Sequence, residues 1–296
     1  MVAPTTVYEV DDWFYHYEYV RTCMAIKPVT EFARILDEAK VPNVLWGKHA
    51  VVLHADASRR PELIVPDDLI EVASNAIAAA GYEACLDKQC PERQIFQRKY
   101  PVADAHFHFH NEYCSKDECT MSLFAKSRLL WWLPDFQLGP PAVDDPDLLL
   151  STDMRIPPYR FASNIGPWID LYPVKALNQN SYLEAMLRLY IRDCDHMNSF
   201  DECWLYFIHR CEEDREFSEQ KEPMIKRTMR PSFHKFWHAR FERSPAENRA
   251  ALRDLRMELE KLNEMPPPPP VNSYGALAFA VEANKRTGPE MPENWR

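Results

Sequence analysis

Two short apolar runs, Asn43–Trp46 and Glu62–Val65, flank Gly47 and a polar segment. The pattern predicts a buried strand, a glycine turn, a short helix over Lys48–His54, a polar loop and a second strand. Asp67 follows as the predicted N-cap of the next helix, with Asp68 near its positive end. That helix, Leu69–Ala80, buries Leu69, Ile70, Val72, Ala73, Ile77 and Ala80 and stops with Gly81 at C′. Upstream, Thr30 opens a helix with Phe32, Ile35, Leu36 and Ala39 on one face, which ends at Val41–Pro42.

Pro101–His110 alternates as a strand does. It puts Asp104, His106, His108 and His110 on one face and Ala103, Ala105, Phe107 and Phe109 on the other. Cys119–Ala125 reads as its neighbour and Leu129–Leu133 as a further apolar element, while Gly139–Pro158 reads as a loop rich in Pro and Asp. Beyond it the period becomes helical. Tyr182–Cys194 presents Leu183, Met186, Leu187, Tyr190 and Ile191 on one face, and further helices run through Asp201–Cys211 and Ser232–Phe241. Ser244-Pro245-Ala246-Glu247 is a capping box with proline at N1, followed by Leu252, Leu255, Leu259 and Leu262 at heptad spacing. Pro266–Pro270 ends that helix and reads as a stiff spacer before a ligand for a proline-binding module. The expected organisation is an aromatic arm (1–27), an α/β unit (28–140), a helical portion (141–264) and a proline-rich tail (265–296).

Composition narrows the function classes. A chain of 296 residues, 46% hydrophobic and 27% charged, has the make-up of a packed globular protein. A net charge of -10 argues against a nucleic-acid partner, since phosphate neutralisation needs clustered Lys and Arg. No apolar run approaches the ~18 residues of a membrane span. The acidic, aromatic start (Glu9, Asp11, Asp12, Trp13) is unlike a signal peptide, so no membrane partner and a cytoplasmic location are expected. Six glycines leave no GxGxxG or P-loop, and neither GxSxG nor HExxH occurs. Eight cysteines without secretory context read as reduced thiols. Two pairs, Cys85/Cys90 and Cys114/Cys119, share a Cys-x4-Cys spacing and flank the histidine strand, so a zinc site is conceivable beside the ordinary-thiol reading.

Several motifs recur in a familiar order. They are Trp46-Gly47-Lys48-His49-Ala50, Ile64-Val65-Pro66-Asp67-Asp68, Phe107-His108-Phe109-His110, Ala125-Lys126-Ser127 with Leu130-Trp131-Trp132-Leu133-Pro134, Ser151-Thr152-Asp153, and the helix Tyr182–Asp193. On these the chain, over roughly residues 28–245, resembles the group of uncharacterised fungal proteins with a nucleotidyltransferase-like fold. The resemblance implies an α/β (α+β) mixed-sheet domain followed by a helical C-terminal portion. Active nucleotidyltransferases use a hydrophobic-Gly-[Gly/Ser] turn, an Asp-x-Asp/Glu pair and a third carboxylate to bridge two Mg²⁺ ions on an NTP.

Residue by residue, Gly47 matches the turn glycine, while Lys48 stands at the Gly/Ser position. Glu62 matches the second acidic position, Arg60 stands where the first aspartate belongs, and Asp104 is the nearest third carboxylate, with His106 and His108 as other occupants of that place. A guanidinium beside a dication opposes metal binding. The expected protein is therefore a catalytically degenerate nucleotidyltransferase-fold protein, a pseudoenzyme. Gly47, Lys48, Arg59, Arg60, His106 and His108 would bind a small anionic ligand, or the protein would engage a partner. The alternative is an active transferase moving NMP from NTP to a protein or small molecule, with Mg and NTP as cofactors, through Glu62, Asp104 and a relocated carboxylate such as Asp56 or Glu83. A second alternative, a zinc-dependent hydrolase, takes Asp104, His106 and His108 as ligands; the tentative metal set overall is Glu62, Asp104, His106 and His108.

Overall fold

A computed structural model describes residues 26–47, 60–87, 89–90, 92, 101–109, 119–156, 167–194, 203–208, 231–240 and 242–266. The aromatic arm to residue 25, the helix expected over Lys48–His54, Asp56, Arg59, His110, Cys114 and the tail beyond Pro266 lie outside the described residues.

Helix α1 (26–38) turns Ile26, Val29, Phe32, Ala33 and Leu36 inward. It closes on Lys40, a non-glycine residue at φ 61°. Lys40 N donates to Asp37 O (3.1 Å) and Val41 N to Leu36 O (2.9 Å), the paired bonds that satisfy the last carbonyls of a helix. Strand β1 (Val44–Trp46) then leads to Gly47, at φ 66°. Strand β2 (Glu62–Val65) returns antiparallel to β1, with Trp46 opposite Glu62. A 3-10 turn at Asp67–Leu69 continues into α2 (Ile70–Ala79), which ends at Gly81, φ 98°, with Gly81 N bonded to Ala78 O and Tyr82 N to Ile77 O.

Strand β3 (Ala105–His108) pairs antiparallel with β4 (Thr120–Ala125), and β4 runs parallel to β2. A single turn, α3 (Lys126–Leu129), follows β4. The segment expected to be loop, Gly139–Pro158, contains strand β5 (Leu148–Leu150), and β6 (Lys175–Leu177) comes next. β5 and β6 pair antiparallel, and β6 lies parallel to β1. The product is a mixed six-stranded sheet, order β3-β4-β2-β1-β6-β5, with helices: an α+β fold, as expected. Three-residue strands carry too little alternation to be read from sequence, which is why β5 and β6 escaped the pattern.

The helical portion begins at α4 (Gln179–Asp193), capped by the Asn178 side chain, which accepts from Asn180 N and Ser181 N (both 3.0 Å). Residues 203–208 form α5, followed by α6 (Pro231–Ala239) and α7 (Pro245–Lys261). The capping box at Ser244 and Glu247 is formed. Leu252, Leu255 and Leu259 are buried, but Leu262 sits past the helix end and is 59% exposed. α4 is buried on nearly every side, not along one face, because it lies at the centre of a core that runs from Ile26 to Met265.

Asp67 departs from its expected role. Pro66 occupies the cap position without a side-chain bond, and Asp67 instead accepts from the Ser127 N–H (2.9 Å) and the Ser127 hydroxyl at the exit of β4.

Candidate functional site

Residues directly opposite one another on adjacent strands share a sheet face. The register therefore aligns Trp46, Glu62, Ser122 and His106 in one row across β1, β2, β4 and β3, with Thr120 and His108 in the next. Glu62 is buried in this row. Trp46 Nε1, Ser122 Oγ and Thr120 Oγ1 are also buried, and none has a hydrogen-bond partner among the described residues. A buried polar atom without a partner is costly. Gly47 turns the chain away at the end of β1, and its carbonyl accepts from the Tyr182 hydroxyl (3.2 Å).

Arg60 stands two residues before Glu62. Its Nη2 lies 3.1 Å from Oε1 of Glu92, a carboxylate only 4% exposed. The guanidinium thus has a counter-ion thirty-two positions along the chain, which the sequence did not signal. Asp104, just before β3, accepts from Ala125 N (2.8 Å) and from Arg128 Nη1 (2.7 Å). Glu62 pairs with Ser122, and Asp104 meets the chain at Ala125, three residues further along β4, roughly 10 Å of strand. Among the described residues neither carboxylate joins a group of three or more metal-type ligands.

His106 and His108 are brought together, with partners from another segment. The chain at Ala84 bridges to Phe107, and Cys85 N donates to His106 O (2.9 Å), which lays residues 84–85 along the free side of β3. Asp87 then turns the chain, accepting from Gln89 N through its side chain (2.8 Å) and from Cys90 N through its carbonyl (3.3 Å). The turn returns Cys90 Sγ to 3.3 Å from His108 Nε2. One ligand atom from each of Cys85, Cys90, His106 and His108 lies within 4.8 Å of all the others. The two imidazoles meet edge to face at 5.4 Å. Burial pushes the Cys90 thiol up, and Cys85 beside it adds to that. Neither of these thiols is disulfide-bonded, whereas Cys119, expected to be a reduced thiol, is.

Sequence reasoning also missed the buried ions of α4. Arg192 forks onto Asp193 (2.7 and 3.0 Å), donates to Arg128 O (2.5 Å) and lies over the Trp131 ring at 5.0 Å. Arg188, also buried, sits between Trp132 (5.1 Å) and Phe233 (5.2 Å) and pairs with Glu184 (2.7 Å). These groups face protein on every side, so their role is internal to the fold.

Among the described residues no helix is long and apolar enough to cross a membrane. No family model and no curated relative matches the chain. A solved structure, the solution structure of the antibiotic-resistance factor ANT(2'')-Ia, is similar over 70% of this chain and 97% of its own, at 11% identity and a TM-score of 0.31. A likeness that faint bears no weight on the site.

Proposed function

We propose that the protein is a nucleotidyltransferase-like α+β scaffold that works by binding, without two-metal nucleotidyl transfer. One observation supports the reading: Arg60, which stands where the resemblance expects the first aspartate, is ion-paired with the buried Glu92. Two-metal catalysis needs carboxylates converging within a few Å of one another. Here Asp104 is already engaged by Arg128 and the Ala125 amide.

The binding site in this reading lies at the end of β1 and β2 where Gly47 turns and Arg60 enters, beside the buried row of Trp46, Glu62 and Ser122. Lys48 and Arg59, adjacent in sequence to Gly47 and Arg60, add positive charge to this stretch of the chain, which suits an anionic ligand or an acidic partner segment.

Calorimetric titration of the full chain with each of the four ribonucleoside triphosphates, with and without Mg²⁺, tests this, together with an assay for pyrophosphate release. The expected result is no pyrophosphate release and no dependence of binding on Mg²⁺. Mg²⁺-dependent binding with turnover that disappears in Glu62→Gln would overturn the reading in favour of an active transferase.

A further inference from the structure

We propose that Cys85, Cys90, His106 and His108 hold a structural zinc ion that fastens the 82–92 segment to the edge strand β3. The proposal is independent of whether the Glu62 face binds nucleotide.

The donor set is the first argument. Two cysteine sulfurs and two imidazole nitrogens suit zinc, a borderline-soft d¹⁰ ion that takes Cys₂His₂ ligands in a tetrahedron. Geometry is the second. Zn–S bonds near 2.3 Å and Zn–N bonds near 2.0–2.1 Å place the ligand atoms of a tetrahedron roughly 3.3–3.8 Å apart. The four atoms here already lie within 4.8 Å of one another, with Cys90 Sγ and His108 Nε2 at 3.3 Å. Only small rotations separate the set from a coordination shell.

Backbone placement is the third argument. In zinc fingers a helix brings two histidines to one side by their spacing of three to five residues. Here the pleat of β3 achieves the same with a single residue, Phe107, between the histidines, since alternate residues of a strand face one way. The thiols come from a loop whose Asp87 turn reverses the chain between them, while the Cys85 amide is already bonded to the His106 carbonyl. Each pair of ligands is thus positioned by its own local hydrogen bonds before any ion arrives.

Four protein ligands fill a tetrahedron, so no position remains for a water or substrate. That makes the ion structural. Asp104, which a hydrolytic site built on the histidines would enlist, is not in the group and is bonded to Arg128. Leu86, between the two cysteines, is 84% exposed and adds no apolar burial to hold the loop there. The same segment delivers Glu92 to Arg60. Zinc would bind the thiols as thiolates, releasing their protons to solvent.

The test is metal analysis of the full chain, expressed with zinc in the medium and purified without chelator. About one zinc per chain is expected, lost from Cys85→Ser and from His108→Gln and retained in Cys203→Ser, whose thiol lies outside the group. Should the ligand variants fail to fold, the wild-type chain serves alone. Stripping with a strong chelator should lower its melting temperature, and refilling with Co²⁺ should give thiolate charge-transfer bands and the d–d spectrum of tetrahedral cobalt. Protein free of zinc that takes up neither Zn²⁺ nor Co²⁺ overturns the proposal. So does iron or copper in place of zinc, a Cys85–Cys90 disulfide in freshly purified protein, or full zinc content in both ligand variants.

Discussion

Lys40 and Asn263 occupy the same kind of position, each the left-handed residue that closes a helix, at φ 61° and φ 56°. After α7, Asn263 N bonds Glu260 O and Glu264 N bonds Leu259 O, the pattern seen after α1. A left-handed backbone costs a side chain with a Cβ ~1–2 kcal/mol, which Asn partly recovers by local hydrogen bonding and Lys does not. Glycine removes the strain but gives the unfolded chain ~0.5–1 kcal/mol of extra entropy. Lys40→Gly should therefore stabilise the protein by ~0.5–1 kcal/mol, and Asn263→Gly by close to nothing. Urea unfolding with an unchanged m-value checks both, and a loss of stability in Lys40→Gly would contradict the account. The same residues mark what sequence can and cannot disclose. Gly81 was readable as a helix end because glycine advertises its conformation, and the Ser244–Glu247 box because all its bonds are local. Lys40 advertises nothing. His106 and His108 were readable as neighbours on one face, since a strand has a period of two. That Cys85 and Cys90 join them depends on the Ala84 to Phe107 bridge, a tertiary pairing with no local signature. The partnership of Arg60 with Glu92 was hidden for the same reason.

Among the elements, α4 carries the most concentrated polar burial. A helix enclosed on nearly all sides would ordinarily be apolar throughout, yet it buries Arg188, Arg192 and Asp193. Each is accommodated by a specific neighbour. Asp193 takes the Arg192 fork and the Trp204 indole N–H (2.8 Å), while Arg256 of α7 donates to the carbonyls of Ile191 (2.8 and 2.6 Å) and Cys194 at the end of α4. These bonds join α4 to the Arg128 turn, to α5 and to α7, so register between the elements is set by geometry as well as by apolar contact. Removing one partner of a buried pair leaves the other charge without compensation, which costs ~3–5 kcal/mol. Arg192→Leu should therefore destabilise by about that amount, although leucine is the more hydrophobic residue. Chemical denaturation measures it, and a neutral or stabilising outcome would mean that Asp193 finds its compensation elsewhere. The helical period had picked out the apolar positions of α4, but a period describes one face. Leu189, buried as fully as Leu183 and Leu187, lies outside the face that the period selected.

For the molecule as a whole, the decisive fact is where the last two strands insert. β6 is laid beside β1, so β1 is an interior strand only because residues beyond 170 return to the sheet. Trp46, fully buried, faces Tyr182 of α4 at a ring separation of 5.8 Å, and the Tyr182 hydroxyl reaches the Gly47 carbonyl. The turn that heads the proposed binding face is therefore completed by the second half of the chain. A fragment ending at residue 140, where composition alone would cut, keeps β1 to β4 but exposes the β6 side of β1 as an unpaired edge. It also uncovers Trp46, Leu45 and the surface of the core that α4 covers. Open edges and wide apolar patches favour association over folding. Residues 26–140 expressed alone should thus fail to unfold cooperatively and should aggregate, while the full chain should lose its β-sheet and α-helical signals together. Circular dichroism against temperature, with near-ultraviolet detection of the tryptophans, reads both. A sharp, reversible transition in the fragment would mean that the first four strands are a folding unit in their own right. The Glu62 face would then have to be assembled without Tyr182, and the binding site proposed for it would belong to the first half of the chain alone.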